Sequence, residues 1–109
     1  MIPIPKYPHI YLDSGVVLSI QAGAGYCSSL GSYEVMPMRI DRCPYGWHQY
    51  HQHDGPWTES SVFCYVPAGV ISAYIEKEGI CTPEAELLPL PIQRELLLRD
   101  GILKDLLTL

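Results

Sequence analysis

The order of apolar and polar positions along the chain marks out four segments. After the turn signal Asp13-Ser14-Gly15, residues 16–22 (VVLSIQA) alternate. Val16, Leu18 and Ile20 share one face of a predicted strand, and Val17, Ser19 and Gln21 share the other, more polar face. Residues 33–40 (YEVMPMRI) predict a second strand. Pro37 brings no N–H, so this strand is expected to lie at an edge, to bulge or to end there. Residues 61–66 (SVFCYV) are nearly all apolar and β-prone, which predicts a central strand buried on both faces. From Pro67 the period changes. Val70, Ile71, Tyr74 and Ile75 recur at helical spacing, Pro67 suits a first turn, and Gly79 sits at the C′ position with Ile80 placed to pack on Ile75. The predicted helix covers residues 67–78.

Thr82-Pro83-Glu84 predicts a short helical turn, and Pro89 and Pro91 stop anything longer. A last helix is expected from Pro91 to about Arg99. Asp100-Gly101 then either caps it or interrupts a longer helix on which Ile92, Leu96, Leu103 and Leu107 share a face. Residues 1–12 carry three prolines and predict an extended arm. The expected fold class is α+β: a small three- to four-stranded, mainly antiparallel sheet packed against one helix, with a leucine-rich helical tail over residues 83–109. One domain spans residues 1–109.

Composition narrows the function classes. The net charge is −5 with only seven Lys and Arg and no basic run, which argues against non-specific binding to nucleic acid and against docking on anionic lipid. No stretch is long and apolar enough for a transmembrane helix, and residues 1–11 lack the continuous apolar core of a signal peptide, so the cytoplasm is the expected compartment. The four cysteines stand at wide intervals with no C-x-x-C pair. In that compartment they are expected as reduced thiols, several of them buried; disulfides would belong to an exported protein.

Candidate chemistry concentrates in residues 43–57 (CPYGWHQYHQHDGPW), which hold three of the four histidines and both tryptophans. Residues 41–60 have no regular period and exceed ordinary loop length, which points to a functional loop or an irregular hairpin. Tyr45, Trp47, Tyr50 and Trp57 are candidate anchors for a partner, because Tyr and Trp bury large area and still hydrogen-bond. The plainer alternative has Trp47 and Trp57 folding back as a satellite core. His48, His51 and His53, with Asp54 or Cys43, are the candidate metal ligands, zinc being the metal such a set suits. Their spacing matches no standard zinc motif, and no cofactor is otherwise expected. Ser19, Gln21, Gly23 and Gly25 form a third candidate, a polar strand face with a Gly-rich loop for a nucleotide or small ligand; the full G-x-G-x-x-G pattern is missing. Cys27, beside Ser28 and Ser29, is a nucleophile only if a histidine meets it. Leucine fills ten of residues 87–109, more apolar surface than a small sheet and one helix cover, so a homodimer through this tail is expected.

Three fragments carry a resemblance: Leu18-Ser19-Ile20-Gln21-Ala22 with Tyr26-Cys27; Tyr33-Glu34-Val35; and Tyr65-Val66-Pro67 with Val70, Ile75 and Gly79-Ile80. In this order they resemble a group of small phage- and prophage-encoded accessory proteins. The match touches about half of the chain and omits residues 41–60 and the leucine tail. The resemblance implies work in a bacterial cytoplasm, on a host protein, including components of antiviral defence. The functional expectation is therefore a non-catalytic binding protein, a phage-type inhibitor or modulator acting by steric occlusion. The alternatives are a metal-binding protein or metal-dependent hydrolase built on the histidines, and a nucleotide or small-ligand binder.

Overall fold

The computed structural model describes residues 7–52 and 55–100. Four antiparallel strands follow one another across an open sheet in the order of the chain: β1 (Ile10–Tyr11), β2 (Val17–Gln21), β3 (Ser32–Met38) and β4 (Phe63–Pro67). Three helices follow: α1 (Ala68–Glu78), α2 (Thr82–Ala85) and α3 (Leu90–Asp100). This is the α+β arrangement that the periodicity predicts. Alternation sets the core face. Leu18 and Ile20 of β2 pair with Pro37 and Val35 of β3, and all four are buried, while Ser19 opposite Met36 and Gln21 opposite Glu34 lie on the other face. Phe63 and Val66 of β4, Ile71 and Ile75 of α1, and Ile92 and Leu96 of α3 complete the core. Ile10 of β1 belongs to it as well, so the end of the extended arm is a paired strand.

β3 runs through the middle of the sheet, yet Pro37 is tolerated. The pairing with β4 ends at Val35↔Phe63, so Pro37 lies past the end of that ladder. β4 departs from expectation: it is the last strand of the sheet, with only one face buried. Its apolar run reads as doubly buried because Cys64 and Tyr65 count as apolar; Cys64 is half-buried on the far face and Tyr65 is exposed. Both outer edges are covered locally. Glu84 Oε2 accepts the Tyr11 N–H at 3.0 Å, and Gln52 N–H donates to Val62 O at 3.0 Å beside the His51↔Phe63 bridge.

α1 ends where predicted, but the β1–β2 turn closes it. Asp13 N–H donates to Gly79 O at 2.8 Å and Ser14 N–H to Glu78 O at 3.2 Å. Gly79 has φ +88, and a Cβ there would stand 2.9 Å from Asp13 Oδ2 and 3.1 Å from Asp13 Cβ. Gly79→Ala therefore meets both backbone strain and a collision, and it should lower stability by about 2–3 kcal/mol. Urea denaturation checks this; a loss below about 0.5 kcal/mol would show that the turn moves aside freely. On α1 itself the predicted stripe is partly replaced. Ile71 and Ile75 are fully buried, Val70 and Tyr74 only half, and Ser72 is fully buried. The Ser72 hydroxyl donates to Gly69 O at 2.8 Å and accepts from Arg99 Nε at 3.0 Å, which ties α3 to the start of α1. The proposed continuation of α3 through Leu103 and Leu107 lies outside the described residues.

Candidate functional site

The aromatic segment is anchored by isolated residues rather than by a periodic face. Pro44 and Trp47 are buried, and Trp47 N–H donates to Pro44 O at 3.1 Å. Between them Tyr45 and Gly46 form the tip of a β-turn, with Gly46 at φ +83. A positive φ at the third turn residue alone is the type II pattern, which glycine adopts without strain. The turn displays Tyr45 almost wholly to solvent, 96% exposed. A short 3₁₀ turn, His48–Tyr50, follows and returns the chain toward β4.

Two hollows meet beneath Tyr45. One, of about 1040 Å³, lies between the end of β3 and the C-terminal half of α1, and Arg39, Arg42, His48 and Lys77 line it. The other, of about 620 Å³, lies over the start of α1, and Tyr50, Val70, Ala73 and Arg99 line it. Tyr45, Gly46, Tyr74 and Lys77 border both. Four of the chain's seven Lys and Arg thus face this one surface of an acidic protein. Asp41 and Glu78 also border it; the Arg42 hydrogen bond and then its charge hold the Asp41 carboxyl below the usual range. Burial, with Glu78 as a lesser cause, pushes the Tyr74 phenol up to about 12, so it stays a neutral hydrogen-bonding group. Burial also pushes the Cys43 thiol up, away from the thiolate that nucleophilic chemistry needs.

The predicted contact residues divide. Tyr45 stands free. Tyr50 and Trp57 are half-buried and packed against the core. Trp47 is corrected from contact residue to core residue: it is 2% exposed, edge-on to Phe63 at 5.3 Å and tilted against Tyr74 at 5.2 Å. The sequence signal for Tyr45 was Pro44-Tyr45-Gly46-Trp47, whose glycine marks the turn that presents it; sequence reasoning named the tyrosine but missed the turn.

Among the described residues, the candidate ligands Cys43, His48 and His51 form no group of three. His48 is exposed at the rim of the larger hollow. His51 Nε2 stands 2.8 Å from Ser61 Oγ, with its ring tilted against Phe63, and so ties the loop to the edge of β4. His53 and Asp54 lie outside the described residues. Among the described residues the one group of three possible ligands is Cys27, Glu34 and Cys64. The expectation of four reduced thiols fails there, because Cys27 and Cys64 form a disulfide, which also removes Cys27 as a nucleophile in this state. The β2–β3 turn carries Cys27 against β4, a juxtaposition with no signal in the sequence spacing. Cys43 and Cys81 are free.

The polar strand face does line a hollow of about 270 Å³, with Ser19, Gln21, Tyr26 and Glu34 on its wall. Gln21 is committed to the chain itself. Its Oε1 accepts the Tyr7 N–H at 3.1 Å, and its Nε2 donates to Tyr7 O at 3.0 Å and to Ser19 Oγ at 3.2 Å. The Gly-rich loop is closed in the same way. Gly23 N–H donates to Ser28 Oγ at 3.1 Å and Gly23 O accepts the Tyr26 N–H at 3.1 Å, while Gly25 is exposed at φ +92. No helix among the described residues is long and apolar enough to cross a membrane. Compared with known protein families, with curated proteins and with solved structures, the chain matches none.

Proposed function

We propose that the chain is a non-catalytic binding protein whose contact surface runs across Tyr45 and the two hollows beside it. One observation carries this reading: a fully exposed aromatic side chain stands on a turn whose two ends, Pro44 and Trp47, are both buried. Such an anchor loses little conformational freedom on binding, which is where affinity is gained most cheaply. The four cationic side chains around it favour a partner that presents an acidic surface to this face. In keeping with the short-segment resemblance, that partner is a host protein, and occupation of its surface is the mode of inhibition. Leu90 and Leu98 of α3, left in solvent, are where a second copy would pack in a homodimer.

The test is a photo-crosslinking residue placed at position 45 and, as a control, at Glu76 on the exposed side of α1. Position 45 should give one discrete adduct in bacterial cells and position 76 none. With that partner purified, Tyr45→Ala should weaken binding about 30-fold while thermal stability stays unchanged. Equal affinity of the Tyr45→Ala protein would remove this surface from the function.

A further inference from the structure

We propose that Cys27, Cys64 and Glu34 form a redox-gated site for a thiophilic divalent cation, with Zn²⁺ as the cation of choice. Oxidised, the site is closed as the disulfide; reduced, it offers two thiolates and a carboxylate.

The three groups come from three parts of the sheet. Cys27 lies in the β2–β3 connection, Glu34 in β3 and Cys64 in β4, and their ligand atoms all fall within 4.8 Å of one another. A bulge brings them together. Tyr33 pairs with Val66 and Val35 with Phe63, so Glu34 faces two residues of β4, Cys64 and Tyr65. Tyr65 takes φ +54, an uncommon conformation for a residue other than glycine, and its N–H donates to Cys27 O at 3.0 Å. Bulges of this kind re-aim side chains, and here the result is a cysteine pair beside a carboxylate.

Glu34 is poorly served by the disulfide. Its Oε1 accepts the Cys27 N–H at a long 3.4 Å and lies 3.1 Å from Cys27 Sγ, a sulfur that carries no hydrogen when bonded to Cys64. Once the bond is open, two sulfur ligands and a carboxylate surround one point, a donor set that a divalent cation draws together. Two thiolates with one carboxylate suit Zn²⁺ and not Mg²⁺ or Ca²⁺. Glu34 also lines the 270 Å³ hollow, which leaves room for a water as fourth ligand.

The chemistry balances with a dithiol as reductant. It supplies two electrons and two protons, the S–S bond breaks, two S–H bonds form, and the reductant leaves as its own disulfide. Zn²⁺ then binds both sulfurs as thiolates and releases the two protons to solvent. At a Zn–S distance of about 2.3 Å the sulfurs end roughly 3.8 Å apart, which side-chain rotation supplies.

The experiment uses the full chain carrying Cys43→Ala and Cys81→Ala, so that the other two thiols do not contribute. Half is reduced with a dithiol that is then removed by gel filtration without oxygen; half stays oxidised. After incubation with Zn²⁺ and removal of free metal, the reduced protein should retain one Zn²⁺ per chain and melt at a higher temperature than without metal. The oxidised protein should retain none and melt unchanged. Cys64→Ala should abolish retention, and Glu34→Gln, which keeps the fold, should weaken binding at least about 10-fold. Should the reduced chain unfold without metal, Zn²⁺ must restore its folded circular-dichroism spectrum. A reduced chain that neither retains zinc nor gains stability from it would overturn the proposal, as would retention that survives Cys64→Ala or is indifferent to Glu34→Gln.

Discussion

Replacing Cys27 and Cys64 together by alanine should lower the unfolding free energy by about 3–4 kcal/mol, close to 20 °C in melting temperature for a chain of this size. The two cysteines are 37 residues apart, so the crosslink closes a long loop in the unfolded chain and removes much of its conformational freedom. In the folded chain it joins the β2–β3 connection to β4, whose pairing with β3 is interrupted by the bulge at Glu34. The crosslink therefore holds the sheet where its ladder is weakest. Reduction of the unsubstituted protein in zinc-free buffer should produce the same loss, because both treatments open the same loop. Denaturation of the three samples side by side checks this. A loss below about 1 kcal/mol would mean that the unfolded chain is already restricted around these residues.

That crosslink also marks the limit of what the sequence discloses. β2, β3, α1 and α3 were legible because each repeats its own period: Leu18 and Ile20 on one side of a strand, Ile71 and Ile75 on one side of a helix. Where contacts join residues far apart in the chain, the pattern falls silent. The Cys27–Cys64 pair, the Glu34 bulge and the closure of α1 by Asp13 and Ser14 all depend on which strands become neighbours. β4 misled for a different reason. Its run of apolar residues gives no hint that Cys64 turns to the far face and that Tyr65 stands in solvent. The candidate site was half legible. Its residue types were visible in residues 43–57, but a loop anchored by Pro44 and Trp47 alone has no period, so the tyrosine that is displayed and the tryptophan that is buried look alike.

The two aromatic residues should separate cleanly in experiment. Trp47→Ala removes a side chain buried to 2% exposure, with Phe63 and Tyr74 packed against its ring. Burial of that area and the cavity left behind together set the expected loss at about 3–5 kcal/mol. Small domains hold roughly 5–15 kcal/mol in all, so a large share of the folded population is at stake. The effect reaches the surface, because Trp47 closes the turn that displays Tyr45. Trp47→Ala should thus lose binding and stability together, Trp47→Phe should retain most of both, and Tyr45→Ala should lose binding alone, with stability within about 0.5 kcal/mol of the unsubstituted chain. Thermal denaturation and affinity measured on the same preparations distinguish these. If Trp47→Ala melted like the unsubstituted protein, the ring would not be part of the core, and the anchored turn, with the contact surface built on it, would have to be abandoned.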